Sequence, residues 1–305
     1  MFIIRNKKIF ISISAVLVAI SILSLLFFGV RVGIDFKGGA LTEVVYTAER
    51  PAQADLELSQ KLPALSPLLV QPVGDRGYLI KSRDLSEAEH RELLLTLSED
   101  NASPLEELNF NSIGPSVGRE LTRKAVLAVI LVSLAIICFI AFAFRKVSRP
   151  ISSWRYGFIA VVTLLHDVAI PTGLFVLLSH LYGVELDTLF VVAVLTVLGL
   201  SVSDTIVIFD RIRENLRIEG NGTRVDFQAI VGRSLEQSYV RSISTSLTVI
   251  LVLLSLIFFG PVSTKYFAIM LSAGMIVGTY SSICLASPLL VWMYEWQGKK
   301  SDKVV

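Results

Sequence analysis

The sequence has only two cysteines, Cys138 and Cys284, and both stand in apolar stretches. Free thiols in apolar helices give no disulfide framework, so the fold does not rest on cross-links. The sequence also lacks a nucleotide-binding glycine loop, metal-ligand spacing and a nucleic-acid signature, which argues against ATP use, a metal centre, a cofactor and nucleic-acid binding. The first apolar run is too long for a cleavable signal, and no small-residue cleavage site follows it. We therefore interpret it as a retained anchor.

Charge is scarce in six long stretches, although 18% of all residues are charged. Hydrophobic residues make up 53% of the chain and the mean hydropathy is +0.67, which together with the long uncharged runs is typical of a membrane protein. Each of the six runs is about as long as a bilayer requires. They cover residues 9–30, 125–144, 156–178, 188–209, 243–259 and 266–291. The sequence therefore predicts a polytopic α-helical membrane protein with six transmembrane helices and one hydrophilic domain.

Lysine and arginine are concentrated in alternate connections, which predicts that both termini are cytoplasmic. The basic segments are the N-terminus, 145–155, 211–240 and the C-terminal tail. The predicted organisation is a cytoplasmic N-terminus with the first helix (1–30), an extracytoplasmic α+β domain (31–122), a five-helix region (123–298) with a cytoplasmic loop (211–240), and a cytoplasmic tail (299–305). In the loop, apolar residues recur at helical spacing, and we expect this basic amphipathic segment to lie on the inner membrane surface. These apolar residues are Phe227, Ile230, Val231 and Leu235.

The extracytoplasmic domain shows the pattern of a small mixed fold. We predict strands at 41–47, 68–72, 77–81 and 105–113 and helices at 52–62 and 86–98, from their periodicity and flanking residues. Ser86 and Glu89 have capping-box spacing before the second helix. The order βαββαβ predicts a ferredoxin-like split unit. It contains no catalytic cluster, so we interpret it as a binding surface or a moving arm.

One carboxylate, Asp204, stands inside the fourth apolar run. Burial of a carboxylate at membrane depth costs about 2.5–3.5 kcal/mol on insertion scales. Ser201 and Thr205 fall three residues before it and one after it, so the three form a polar stripe on one side of an apolar helix. We expect this stripe to face protein or water.

Two further spans carry polar residues at helical spacing. The third has Thr163, His166 and Asp167, and the fifth has Arg241, Ser244, Thr245 and Thr248. If these faces meet, Asp204 and Arg241 can pair, which lowers the cost of burying both. His166 adds a group that titrates near neutrality. The hypothesis is a proton path in which Asp204 takes up and releases a proton and Arg241 sets its charge state.

Structural interpretations of the same residues stay open. One interpretation is that Asp204 and Arg241 form a fixed ion pair. Another is that the Arg241 side chain extends toward the membrane boundary. His166 and Asp167 form a hydrogen-bonded structural pair in a third. In the sixth span, Gly274 and Gly278 make a GxxxG pattern that favours close helix packing.

Several segments together resemble the SecF subunits of the SecD/SecF family, which is related in fold to resistance-nodulation-division (RND) transporters. The matching segments are GIDFKGG (33–39), GPSVGREL (114–121), LHDVAI (165–170), SVSDTIVIFDRIREN (201–215), RSISTSLT (241–248) and GTYSSICLASPLL (278–290). Asp35, Gly38 and Gly39 belong to the family motif outside the first helix. The fourth segment is the most specific, and the match runs nearly end to end.

This resemblance implies an accessory subunit of the bacterial Sec protein-export translocase, located in the cytoplasmic (inner) membrane, and not an enzyme. The implied partners are SecD, whose helices complete a twelve-helix bundle, the translocon channel with its small membrane subunits, and the unfolded preprotein. The resemblance implies ion-relay roles for Asp204, Arg241 and Asp167, which couple ion flow to late steps of translocation. His166, Ser201, Thr205 and Thr245 would support them. Protons are the default ion and sodium is the alternative.

Three other functions compete with this one. The first alternative is that the chain forms half of an RND-type small-molecule exporter. Its outer domain is short for that class. The second is an intramembrane aspartyl protease that uses Asp167 and Asp204, but the sequence contexts SVSD and HD differ from those of such proteases. The third is a structural scaffold, in which a neutral residue replaces Asp204 without loss of function.

Overall fold

The structure is a computed structural model that describes residues 2–52, 58–98, 103–144, 153–219 and 226–301. The chain divides into an α+β unit, made of Val32–Leu127 and Leu186–Thr188, and a helical unit made of the other segments. Its helices are α1 (Phe2–Arg5), α2 (Lys7–Phe28), α3 (Ile34–Lys37), α4 (Leu58–Lys61), α5 (Glu87–Leu97), α6 (Pro115–Ala143), α7 (Ser153–Tyr182), α8 (Thr188–Glu219), α9 (Phe227–Phe259), α10 (Val262–Ser281) and α11 (Ser287–Ser301). A π-helical turn, Ser282–Ala286, joins α10 to α11.

Six helical stretches in the described residues are long and apolar enough to cross a membrane. They are α2, α6, α7, α8, α9 and the continuous stretch Thr264–Trp296 through α10 and α11. The predicted count of six transmembrane helices is confirmed. Most of these helices continue beyond the apolar runs that predicted them, because a helix does not end where its side chains become polar.

The α+β unit contains a four-stranded antiparallel sheet. Its strands are β1 (Gly39–Tyr46), β2 (Leu69–Val73), β3 (Gly77–Ser82) and β4 (Leu105–Ile113). They are arranged in the order β2-β3-β1-β4, which is the order of the predicted ferredoxin-like unit. In β1, Thr42 pairs with Ile80 of β3 and with Phe110 of β4. One face of this sheet and the helices α4 and α5 enclose the core of the unit.

Of the predicted helix at 52–62, the structure describes Leu58–Lys61 as helical, and residues 53–57 lie outside the described residues. The second predicted helix begins as its sequence indicates. Ser86 and Glu89 form the reciprocal capping box at the start of α5. Glu89 also pairs with Arg83, and this hydrogen bond, with those from Ser86, lowers the pKa of Glu89 to about 2.

The prediction of a membrane-surface helix in the loop 211–240 was wrong. Residues up to Glu219 continue α8, and Asp226 caps α9, whose first turns contain the apolar face that was predicted to lie in lipid. That face is buried inside the protein: Phe227 is 1% exposed and Leu235 is 0% exposed. Polar contacts join the two helix extensions, because Asn215 donates to Ser234 at 2.8 Å. Amphipathicity indicated a buried face but did not indicate what covers it.

Glycines bring the helices of the helical unit close together. A Cβ atom on Gly274 would lie 2.2 Å from the Val197 side chain, and one on Gly278 would lie 3.2 Å from Cβ of Ser201. The close packing predicted from the GxxxG pattern therefore occurs between α10 and α8. This contact sets the spacing around the polar residues of α8.

Candidate functional site

Asp167 is the most deeply buried carboxylate of the helical unit, with 0% exposure. Its Oδ2 atom accepts hydrogen bonds from the hydroxyls of Ser201 and Ser281, the latter at 2.6 Å. Its Oδ1 atom lies 2.7 Å from Nδ1 of His166. The carboxylate thus joins α7, α8 and the end of α10, and every oxygen has a partner, as the burial of a charged group requires.

One ring nitrogen of His166 contacts Asp167, and the other has no hydrogen-bond partner among the described residues. Nε2 is buried without a partner, and the ring stacks on Tyr280 with centroids 6.3 Å apart. The Tyr280 hydroxyl reaches the Phe10 carbonyl of α2 at 3.3 Å. A proton on the Nδ1–Oδ1 contact has two positions, the imidazole and the carboxyl group, so the pair is able to hold or move one.

Asp204 is in a more open setting than Asp167. Its side chain is half-buried, and it lines a small pocket with Ser201, Gly278 and Thr279. Its polar neighbours across the helix interface are Ser242 and Arg241 of α9. An acid in this setting can exchange a proton with water, whereas one with all its oxygens occupied and no exposure cannot do so without local opening.

The structure does not join Asp204 and Arg241 in an ion pair. Among the described residues neither side chain has an oppositely charged partner within 4.0 Å, and Arg241 is exposed in this chain. Thr245, predicted to support the relay, is also exposed and donates to the Arg241 carbonyl at 2.9 Å. The predicted polar stripe of α9 therefore lies on the outside of the chain.

The buried polar face of α9 is one that the sequence analysis missed. It consists of Ser234, Ser238, Ser242 and Ser246, each at most 4% exposed. Ser246 contacts Thr279 of α10, and Ser242 lies beside Asp204 of α8. The serines recur every four residues, a spacing that predicts one helix face. This face lies next to the more polar stripe that begins with Arg241, and the prediction followed that stripe instead.

Ser201 connects the two acids. It donates to Asp167 and, three residues before Asp204 on α8, it lines the pocket of that acid. One turn further, Thr205 lies 2.9 Å from Ser282 in the π-helical turn, and such turns are frequent at functional sites. Ser281 and Ser282 were not predicted as site residues, because single serines in an apolar helix give no periodic signal.

The three residues of the motif after α2 lie in the α+β unit. Asp35 is buried and its Oδ2 atom accepts from Thr188. Gly38 and Gly39 have φ angles of +84° and +135°, which other residues rarely adopt. Among the described residues no group of three or more His, Cys, Asp or Glu side chains is close enough to hold a metal ion.

Comparison with known proteins assigns the chain to a family. A family model described as "Protein export membrane protein SecD/SecF, C-terminal" matches residues 94–296. "Protein translocase subunit SecF" of Thermobaculum terrenum is 41% identical over 97% of this chain and 94% of its own length. The subunit of the same name from Anaerolinea thermophila is 34% identical over 97% of this chain and 95% of its own length.

Longer proteins contain a similar region. "Protein translocase subunit SecDF" of Bacillus subtilis is 31% identical over 98% of this chain, which covers 38% of that protein. The crystal structure of SecDF from Thermus thermophilus, a translocon-associated membrane protein, superposes with a TM-score of 0.78 at 29% identity, over 95% of this chain and 38% of that one. Six membrane-spanning helices and these relatives are consistent with an accessory subunit of a protein translocase. The chain therefore belongs to the SecD/SecF family of protein export membrane proteins, as a SecF-type protein translocase subunit.

Proposed function

We propose that this chain acts with SecD to couple proton flow across the membrane to late steps of preprotein translocation. The observation that carries the proposal is the contrast between two acids on neighbouring helices. Asp167 has every oxygen occupied, whereas Asp204 is half-buried beside a pocket and three residues from the serine that contacts Asp167. Ionisable residues at membrane depth are functional by default, and one charge moved through the membrane potential yields about 2.3 kcal/mol per 100 mV.

In this proposal Asp204 binds the proton, and Asp167 with His166 is the second acid of the relay. Protonation removes the charge of Asp204, so its interaction with the nearby Ser242 and Arg241 weakens. The contacts between α8 and α9 then change, and the bundle has two states that the ion biases.

We infer that SecD covers the exposed stripe of α9. Arg241, Ser244, Thr245 and Thr248 are exposed in this chain, and a polar face within a membrane span is costly against lipid. Relatives in which a similar region is part of a longer SecDF chain support SecD as the cover. Arg241 is then able to contact Asp204, or an acid of SecD, in the assembled bundle.

The remaining parts of the proposal follow from the family. The α+β unit is on the extracytoplasmic side, both termini are cytoplasmic, and the further partners are the translocon channel with its small membrane subunits and the preprotein. The exporter alternative has less support, because the relatives are named protein translocase subunits. The protease alternative requires two aspartates that share a proton, whereas the oxygens of Asp167 are occupied by His166 and two serines.

The test is export of a secreted precursor in cells that lack the native pair and produce this chain with SecD. We expect Asp204→Asn to reduce late-stage release to the level without the pair while the complex still purifies intact. Asp210→Asn is the matched control, because Asp210 is an exposed acid on the same helix and pairs with Arg213 at 2.9 Å. Export that stays potential-dependent at the wild-type level in Asp204→Asn would contradict the proposal. Varying pH and sodium separately identifies the ion.

A further inference from the structure

A buried carboxylate outside the ion relay caps the helix that contains Asp204. Oδ2 of Asp35 accepts from the backbone N–H of Thr188 at 2.8 Å and from its hydroxyl at 2.7 Å. Thr188 is the first residue of α8. An acid at this position satisfies a free N–H group and interacts favourably with the positive end of the helix dipole. Asp35 therefore supplies the cap of α8 from a distant part of the sequence.

The backbone next to Asp35 also contacts the segment before α8. Gly33 donates to the Leu186 carbonyl at 2.8 Å, and Val32 forms a parallel bridge with Leu186. The start of α8 is thus fixed by backbone and side-chain bonds together.

The same short segment is pressed against the start of α6. A Cβ atom on Gly38 would lie 2.9 Å from Cα of Pro115, and one on Gly118 would lie 2.9 Å from the Gly38 nitrogen. Thr122 of α6 donates to the Phe36 carbonyl at 3.4 Å. The two Cβ distances of 2.9 Å are shorter than a side chain allows, so Gly38 and Gly118 permit the contact between α3 and α6.

On its other side the segment continues directly into the sheet. Gly39 begins β1, and a Cβ atom there would lie 2.8 Å from the Ser82 carbonyl of β3. Residues 32–39 therefore join three elements of the α+β unit: the central strand β1, the start of α6 and the start of α8. A displacement of the sheet has a short, hydrogen-bonded route to α8.

We propose that Asp35 is a positioning residue that transmits movement between the α+β sheet and α8. Asp204 lies about 24 Å along that helix from Thr188, at 1.5 Å per residue. The inference rests on the proposed function, in which Asp204 binds the ion. The bonds of Asp35 to Thr188 make the sheet and the ion-binding helix move together, and their loss uncouples ion binding from the response of the sheet.

The experiment uses the chain assembled with SecD in proteoliposomes. Cys138 and Cys284 are replaced, and Asp75→Cys in the exposed turn after β2 is labelled with an environment-sensitive fluorophore. An imposed pH gradient supplies the driving force. Labelling of Asp204 by a carbodiimide, localised by mass spectrometry, reports separately whether that acid still takes up a proton.

We expect Asp35→Ala to reduce the fluorescence response at least fivefold while carbodiimide labelling of Asp204 stays within twofold of the unsubstituted reporter protein. Thr188→Val, which keeps the N–H but removes the hydroxyl, gives an intermediate response, and Thr188→Ser restores it. A full response in Asp35→Ala overturns the inference, as does a loss of response that is always accompanied by a loss of Asp204 labelling. A full response in Asp204→Asn with a lost response in Asp35→Ala would support the positioning role but contradict the proposed function.

Discussion

Removal of the Ser281 hydroxyl tests the network around Asp167 most simply. Ser281→Ala deletes one of two hydroxyl donors to Oδ2 of a carboxylate that has no exposure. No water replaces the donor unless the helices separate, so the cost is that of a buried acceptor with one bond fewer. Ser281 also joins the end of α10 to α7, so the substitution weakens the contact between these helices.

The charge state of Asp167 decides the size of the effect. A hydrogen bond to a charged group contributes about 1.5–3 kcal/mol, whereas hydrogen bonds between helices in a membrane average about 0.6 kcal/mol. For a charged Asp167 we expect a coupling energy of about 2 kcal/mol between Ser281→Ala and Asp167→Asn, because Ser281 is one of two hydroxyls that donate to its Oδ2 atom.

The assay is equilibrium unfolding in mixed micelles, followed by tryptophan fluorescence, for the two single variants and the double variant. Ser272→Ala is the matched control. Ser272 lies on the same helix and is buried, but its hydroxyl has no partner among the described residues, so we expect no loss of stability. A coupling energy at or below about 0.6 kcal/mol, or an equal effect of the two serine substitutions, would refute a charged Asp167.

Three further predictions concern packing and the α+β unit. Gly274→Ala should destabilise the helical unit by about 1–3 kcal/mol through overpacking. Gly199→Ala is the control and should not destabilise it, because a Cβ atom there meets nothing within 4 Å. Thermal unfolding of the purified protein measures both effects. Leu235→Ala should cost about 2–5 kcal/mol if its face is buried in protein, and Leu247→Ala, at an exposed position of α9, should cost far less; equal small losses would restore the membrane-surface interpretation. The folded pKa of Glu89 is lowered to about 2, so its contribution to stability is present above the unfolded pKa of about 4.3 and is lost as the pH falls toward 2. The protection of the α5 amides against hydrogen exchange should therefore depend less on pH between these values in Glu89→Gln. An unchanged pH dependence of the protection would contradict this assignment.

The six candidate membrane helices and the α+β fold were predictable because each follows from a regular pattern in the sequence. Uncharged runs of bilayer length indicated the six helices, and alternation with a capping box indicated the strands and α5. The helix ends were not predictable in the same way. Hydropathy reports which residues suit lipid, whereas α8 and α9 continue as polar helices that pack on each other through Asn215 and Ser234.

The candidate site was predictable only in part. His166, Asp167 and Ser201 were identified by helical spacing, and the structure brings them together. The orientation of α9 was not predictable from one chain, because the stripe with Arg241 is polar enough to suggest a buried face. Its exposure makes physical sense if a second subunit covers it.

Proton flux tests directly whether Asp204 carries the ion. The chain is assembled with SecD in proteoliposomes that contain a pH-sensitive dye, and a membrane potential is imposed. We predict that Asp204→Asn abolishes potential-driven proton entry, while Asp210→Asn leaves it at the level of the unsubstituted protein. Unchanged proton entry in Asp204→Asn, with intact assembly, would contradict the account and leave Asp204 a packing residue.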